Sequence, residues 1–289
     1  MKNLQITDEE SILNLVYKSF IEELKLKIYI GIELEFYIND NVIEFKEIFE
    51  TIIQEAAKRE IYIVSIKDEK GKNQFEVEMP YNNPLIVANQ AMQLKKIISD
   101  ITHNNSNFEA KPYFERPGSA MHFNISLHDF NGKNLFKKDN EIINKYLSHS
   151  IGGLLKLMKE SMIYFAPNEN SYKRFDNNFE TPTKICWGGN NRTTALRVPT
   201  VQNKNNLRIE HRVAGSDCNI YLSITAIIVA ISYGIKHEVE ADKQIYGNAF
   251  GKQYELEKLP MSLEKSIKYY NKGEILKKYL SYLRIECSE

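Results

Sequence analysis

The sequence contains only three cysteines, Cys186, Cys218 and Cys287. They lie far apart and form no C-x-x-C pair, which speaks against a disulfide framework or a zinc knuckle and fits a reduced, cytoplasmic chain. Net charge is missing too, since 38 basic residues balance 38 acidic ones. The chain as a whole therefore gives no electrostatic case for a nucleic-acid or membrane partner. No apolar run approaches a membrane span. The opening "MKNLQITDEESILNL" lacks the apolar core of a signal peptide. There is no internal repeat, low-complexity linker or break in composition, so one domain over residues 1–289 is expected. What is present is an ordinary globular balance, 43% hydrophobic and 26% charged, in 289 residues.

Periodicity predicts the elements. A capping box at Thr7–Glu10 opens a helix to about Leu24, so that residues 1–25 form an N-terminal helix. "IYIGIELEFYI", residues 28–38, alternates as a strand with one buried face. "EFKEIFETIIQEAAKRE" has helical spacing, "IYIVSI" and "QFEVEM" read as strands, and Asn83-Pro84 starts a helix towards Ile101. "SAMHFNISLH" is a strand, and a long helix is expected over roughly Asn140 to Phe165. Residues 166–192 are rich in Asn, Pro and Gly without a period, the mark of a functional or disordered loop. "TALRVP" and "NLRIEHRV" read as strands, Asn219 to about Val239 as an apolar helix, and residues 255–289 as a helical C-terminal segment. Short connections between strands favour an α+β fold with a mostly antiparallel sheet.

Four strands carry polar side chains on one parity and apolar ones on the other. The polar sets are Glu33 and Glu35; Gln74, Glu76 and Glu78; His122, Asn124 and Ser126; and Arg208, Glu210 and Arg212. Singly, each reads as a solvated strand face. Together they place carboxylates and an imidazole beside arginines. If the faces converge, carboxylates about 5 Å apart repel by about 3 kcal/mol at an effective dielectric of 20. Mg2+ or Mn2+ removes that repulsion and suits oxygen donors with an occasional imidazole. The arginines suit phosphate or carboxylate oxygens.

The residues then become recognisable. In order along the chain, "GIELEF", "DEKGKNQFEVEM", "KPYFERPGSAMHFNISL", "NSYKRF", "WGGNNRTTALRVP", "RIEHRVAGSDCNIYL" and "LPMSL" resemble the motifs of the glutamine synthetase catalytic domain. The acidic segment resembles the γ-glutamylpolyamine synthetase branch. The resemblance implies a curved, mostly antiparallel sheet lining the site, with helices outside, as in guanidino kinases. It implies two divalent-metal sites, one from Glu35, Glu69 and Glu76 and one from Glu33, His122 and Glu210. It places Arg192, Arg197 and Arg208 at the phosphates of ATP, Asn124 and Ser126 near the nucleotide, and Gly118, Arg174 and Arg212 at glutamate. Glu180 falls where the family has a flap glutamate that helps deprotonate the amine. Glu180, Arg192 and Arg197 are thus the expected catalytic residues.

The implied activity is ATP-dependent joining of the glutamate γ-carboxylate to an amine or ammonia through γ-glutamyl phosphate, in a homo-oligomer. Departures keep alternatives open. The family's N-terminal β-grasp domain is not expected, Asn124 replaces a histidine, Pro117 stands in the substrate loop, and "GSAM" replaces "GSGM". An impaired relative that binds metal and nucleotide in a regulatory or scaffolding role fits the same residues. So does an enzyme completed by a separate partner, and a phosphoguanidino kinase is a more distant option.

Overall fold

The computed structural model describes residues 8–39, 45–140, 142–175 and 181–282. Its centre is strand β1 (Lys27–Ile38), whose alternation is realised as expected. Ile28, Ile30, Ile32, Leu34, Phe36 and Ile38 are all fully buried. β1 pairs antiparallel with β3 (Gln74–Asn82) on one side and β5 (Met121–His128) on the other. β2 (Ser65–Asp68) borders β3, and the short β4 (Ser106–Asn107) meets the end of β1. Beyond β5 come β10 (Ile209–His211), β9 (Leu196–Arg197) and β8 (Trp187–Gly188), giving the order β2-β3-β1-β5-β10-β9-β8. Among the described residues, only the β8–β9 strand pairing in this sheet is parallel. β6 (Lys138–Asp139) and β7 (Ile142–Ile143) form a separate small hairpin.

The apolar parity of the sheet packs against helices. These are α1 (Glu9–Leu24), α2 (Phe45–Ala57), α3 (Pro84–Ile101), α4 (Lys145–Phe165) and α6 (Ile220–Lys236). α6 is apolar nearly all round because α1, α3 and α4 enclose it. A single turn, α5 (Glu169–Tyr172), the outer helices α7 (Leu263–Lys272) and α8 (Ile275–Tyr282), and a short 3-10 turn at Lys204–Asn206 complete the described elements. Among the described residues no helix is long and apolar enough to cross a membrane. Cys186 and Cys218 are buried thiols; Cys287 lies outside the described residues.

Several boundaries differ from expectation. Asp8 caps α1 by accepting from Ser11 N at 2.8 Å, while Thr7 lies outside the described residues. The strand expected at "IYIVSI" starts only at Ser65, because the β2–β3 ladder pairs Ser65 with Glu78 and Lys67 with Glu76, leaving Tyr62 and Val64 exposed. The helix expected from Asn140 begins at Lys145. Asn144 caps it through Leu147 N and donates its side-chain amide to Leu135 O, so the preceding residues turn back as β6 and β7. The two strands read over 194–199 and 206–213 shrink to two and three residues. The C-terminal segment is helical only from Leu263.

A register shift between Ile30 and Ile32 marks a bulge where β1 faces Pro80 and Tyr81 of β3. Proline cannot donate to a ladder and is tolerated at such a point. After the bulge the pairing holds without slip down to Tyr37 and Gln74, which keeps both acidic parities on one face. Leu34, fully buried between Glu33 and Glu35, anchors that register. Leu34→Ala should lower unfolding free energy by about 2–5 kcal/mol, read from urea denaturation.

Candidate active site

Strand register builds the site. Glu33 lies opposite Glu78 on β3 and His122 on β5, and Glu35 lies opposite Glu76. Glu210 on β10 lies between Asn124 of β5 and Arg197 of β9. Residues directly paired across antiparallel strands share a face. The polar parities read from sequence therefore converge on one floor, lining a cavity of about 350 Å3.

Glu35, Glu69 and Glu76 present oxygens within 4.8 Å of one another. Glu69 reaches the group from the β2–β3 turn, where its N–H donates to Gln74 O at 2.9 Å and Asn73 takes the left-handed conformation, φ 58°. Glu35 is met by neutral donors, the Ala120 N–H at 2.8 Å and the Gln74 amide at 3.3 Å, both on Oε2. Burial, together with Glu69 and Glu76, pushes its carboxyl up to about 8 despite the Ala120 bond and nearby Arg174. Glu76 is pushed up to about 7 by burial, Glu33 and Glu69, against the opposing Lys67. Lys67 Nζ lies 3.5 Å from Glu76 and 3.2 Å from Glu78. Three carboxylates whose oxygens converge this closely fit a hard divalent cation.

A second group consists of Glu33, Glu76 and His122, again within 4.8 Å. Glu76 therefore belongs to both groups. This departs from the expected set of Glu33, His122 and Glu210. Both Glu210 oxygens are taken by arginines, Oε2 by Arg197 Nε and Oε1 by Arg212 Nη1 at 2.5 Å. Glu210 still borders the group, with Oε1 3.5 Å from His122 Nδ1. Glu33 is partly buried, but bonds from His122 (3.2 Å) and Asn124 (3.0 Å) with the field of Arg197 hold it down at about 2. Burial and Arg212 lower the His122 pKa, against the pull of Glu33 and Glu210, and so favour the neutral imidazole that a metal needs.

The remaining expected residues fall as follows. Arg192, Arg197, Arg208 and Arg212 line the cavity opposite the acidic groups. Asn124 links the two halves, donating to Glu33 and accepting from Arg208 Nε at 2.9 Å. Ser126 is set apart, its hydroxyl 3.0 Å from His128 Nε2, and it does not line the cavity. Gly118 lines the rim. Arg174 is buried, and its two terminal nitrogens donate to Val213 O (2.8 Å) and Arg212 O (3.1 Å). Burial lowers its pKa to about 10. Two of its N–H groups are thus taken by the main chain while the side chain still lines the cavity, whereas Arg212 Nε is buried without a hydrogen-bond partner among the described residues. Glu180 lies outside the described residues.

Sequence reasoning gave no role to three residues on this floor. Lys67 was hidden by the displaced strand boundary. Tyr37 and Gln74 stood on the polar parity, but only the pairing of their strands shows them in contact. A larger groove of about 720 Å3 lies on the helical side. Its charged groups are in part already matched, as in the pairs Lys159–Glu257 and His149–Glu240.

Comparison with known proteins adds an independent finding. Residues 39–286 match the family described as glutamine synthetase, catalytic domain. The chain is 33% identical over 250 residues to gamma-glutamylputrescine synthetase PuuA of Escherichia coli (strain K12), covering 84% of this chain and 52% of that protein. It is 33% identical over 310 residues to glutamine synthetase of Pyrococcus abyssi, covering 94% and 70%. The chain thus spans about half the length of the first of these relatives. Its fold superposes on a GmaS/ADP complex with a TM-score of 0.85 at 22% identity, covering 95% of this chain and 70% of that one.

The elevated carboxyls make a signed prediction. Glu35 and Glu76 hold protons in the folded chain up to about pH 8 and about pH 7, against 4.5 for the free side chain. The folded state therefore keeps protons on these two carboxyls that the unfolded state has lost, and their contribution to stability falls as pH rises. Glu33 and Glu210 are lowered and act in the opposite sense in acid, and the lowered imidazoles of His122 and His211 oppose the two carboxyls below the ordinary histidine value of 6.5. Thermal melts in EDTA should show Tm falling from about pH 6.5 to about pH 8. Excess Mn2+ should raise Tm, and more at the upper end of that range.

Proposed function

Because the chain belongs to the glutamine synthetase family, we propose that it is an ATP- and divalent-metal-dependent γ-glutamyl ligase, joining the γ-carboxylate of glutamate to an amine. The observation that carries this is a single cavity lined both by clustered carboxylates and by arginines. Glu35, Glu69 and Glu76 would hold one Mg2+ or Mn2+ ion, and Glu33, Glu76 and His122 a second with Glu210 beside it. Ions bound there supply charge neutralisation and Lewis acidity towards phosphate oxygens.

The chain's own residues account for the other requirements. Arg192, Arg197 and Arg208 bind the phosphates of ATP and stabilise the charge that spreads over the transferred group. Asn124 holds Arg208 in line with Glu33. The free Nε–H of Arg212 is available to a substrate carboxylate, while Arg174 braces the main chain that carries Arg212. The glutamate γ-carboxylate attacks the terminal phosphorus of ATP and ADP leaves. The amine then attacks the resulting γ-glutamyl phosphate, inorganic phosphate departs, and the proton lost by the amine passes to Glu180. A dry site protects the acyl phosphate from hydrolysis. The two curated relatives, equal in identity, are named for different products. That difference supports an acceptor in the class of ammonia and small alkylamines.

Hydroxylamine added with glutamate, ATP and Mn2+ should yield γ-glutamyl hydroxamate. ATP binding without hydroxamate, under a panel of amines that also releases no ADP, would instead support the regulatory or scaffolding alternative. Glu76→Ala removes a donor from both groups and should lower ligase turnover on the order of a thousandfold. It should also abolish metal-dependent ATP binding in calorimetry. Unchanged nucleotide affinity in that variant would contradict the metal assignment.

A further inference from the structure

One buried amide joins the acidic half of the cavity to the loop on its rim. Gln74 opens β3, is 2% exposed and lies across from Tyr37. Its Nε2 donates to Glu35 Oε2 at 3.3 Å and to Gly118 O at 3.1 Å. Its Oε1 accepts from Gly71 N at 3.0 Å and from the Tyr37 hydroxyl at 3.2 Å. These contacts use the full capacity of a side-chain amide and fix which way it points. Rotated by half a turn, its oxygen would face the Glu35 carboxylate and the Gly118 carbonyl.

Two consequences follow from that geometry. Glu35 Oε2 is occupied by two N–H donors, from Gln74 and Ala120, so Oε1 is the oxygen left to a cation. The other Gln74 N–H holds the loop carbonyl, and Tyr37 shares its proton between Gln74 and Pro117 O, the latter at 2.8 Å. The loop is closely packed at Gly118. A Cβ at Gly118 would stand 2.6 Å from Ala110 O and from Arg174 Cγ.

We infer that Gln74 is a positioning residue that orients Glu35 for one of the two cations and couples occupancy of that site to the Pro117–Gly118 loop. The inference rests on the metal-binding role proposed above. It adds that binding at the Glu35–Glu69–Glu76 group stiffens the rim, through a residue that touches neither cation nor substrate.

The test measures Mn2+ alone. Calorimetry on the intact wild-type chain should count two Mn2+ ions, and hydrogen exchange across residues 115–120 should slow when they bind. Gln74→Met keeps the volume and removes the polar atoms. It should weaken one Mn2+ site by about 10–100-fold and leave the other within about twofold. In this variant Mn2+ should no longer slow exchange in the loop. Tyr37→Phe, which keeps the core volume, should retain both sites but lose at least half of the Mn2+-dependent loop protection. A folded Gln74→Met chain with two wild-type sites overturns the inference. So does loop protection by Mn2+ that survives in either variant at the wild-type level. A wild-type chain that binds no Mn2+ overturns the metal assignment and this inference together, whereas two wild-type sites with unaffected variants overturn the inference alone.

Discussion

Carboxylates that share one face of adjacent strands repel one another, and the cavity is organised by how that repulsion is answered. The answer differs along a single strand. Glu33 receives His122 and Asn124 and the field of Arg197, and is held near 2. Glu35, two residues on, receives only main-chain and side-chain amides and is held near 8. Glu210 is enclosed by two guanidinium groups. Guanidinium groups therefore answer Glu210, whereas Lys67 reaches Glu76 and Glu78 and leaves Glu35 without an ion pair among the described residues. Burial favours protonation of Glu35 and Glu76. Metal binding is the alternative that keeps these carboxylates ionised at neutral pH.

That distribution depends on the opposite face of the sheet. Each acidic residue on β1 is flanked by fully buried neighbours, Ile32, Leu34 and Phe36. A one-residue slip would drive Glu33 and Glu35 into the helices and expose the apolar set, so the core holds the register. The bulge at Gly31 lies just before the acidic pair and leaves the pairing regular from Ile32 to Tyr37. Hydrophobic packing thus sets electrostatic geometry, and neither face of β1 can be changed without disturbing the other.

The sequence shows parity clearly, which is why the floor residues were legible: alternation assigns Glu33, Glu35, Glu76, His122 and Glu210 to polar faces without any knowledge of strand order. Pairing is not local information. That Glu76 contributes to both groups, and that Glu210 faces Arg197, follows only from which strands become neighbours. Arg174 illustrates a second limit. Its residue type suits a carboxylate and it lines the cavity, but its donation to two carbonyls near the end of β10 is a contact that no spacing rule encodes. Element ends were misplaced where side chains such as Asp8 and Asn144 capped backbone groups in competition with the apolar period.

The positions that depart from the family's motifs can be weighed by what each contributes. Asn124, in place of a histidine, donates to Glu33 and accepts from Arg208, so one neutral side chain spans the acidic and arginine halves. Pro117 has no N–H, but its carbonyl accepts from Tyr37, an interaction that any residue's main chain could make. Ala120 is 3% exposed; its N–H meets Glu35 Oε2 and its carbonyl accepts from Glu35 N at 2.9 Å. At positions 117 and 120 the backbone makes the contacts, and there a change of side chain leaves the geometry around Glu35 in place. Position 124 is different, because its side chain itself carries the link. Asparagine meets that requirement in a single fixed protonation state, whereas a histidine making the same two bonds would have to stay neutral between a carboxylate and a guanidinium.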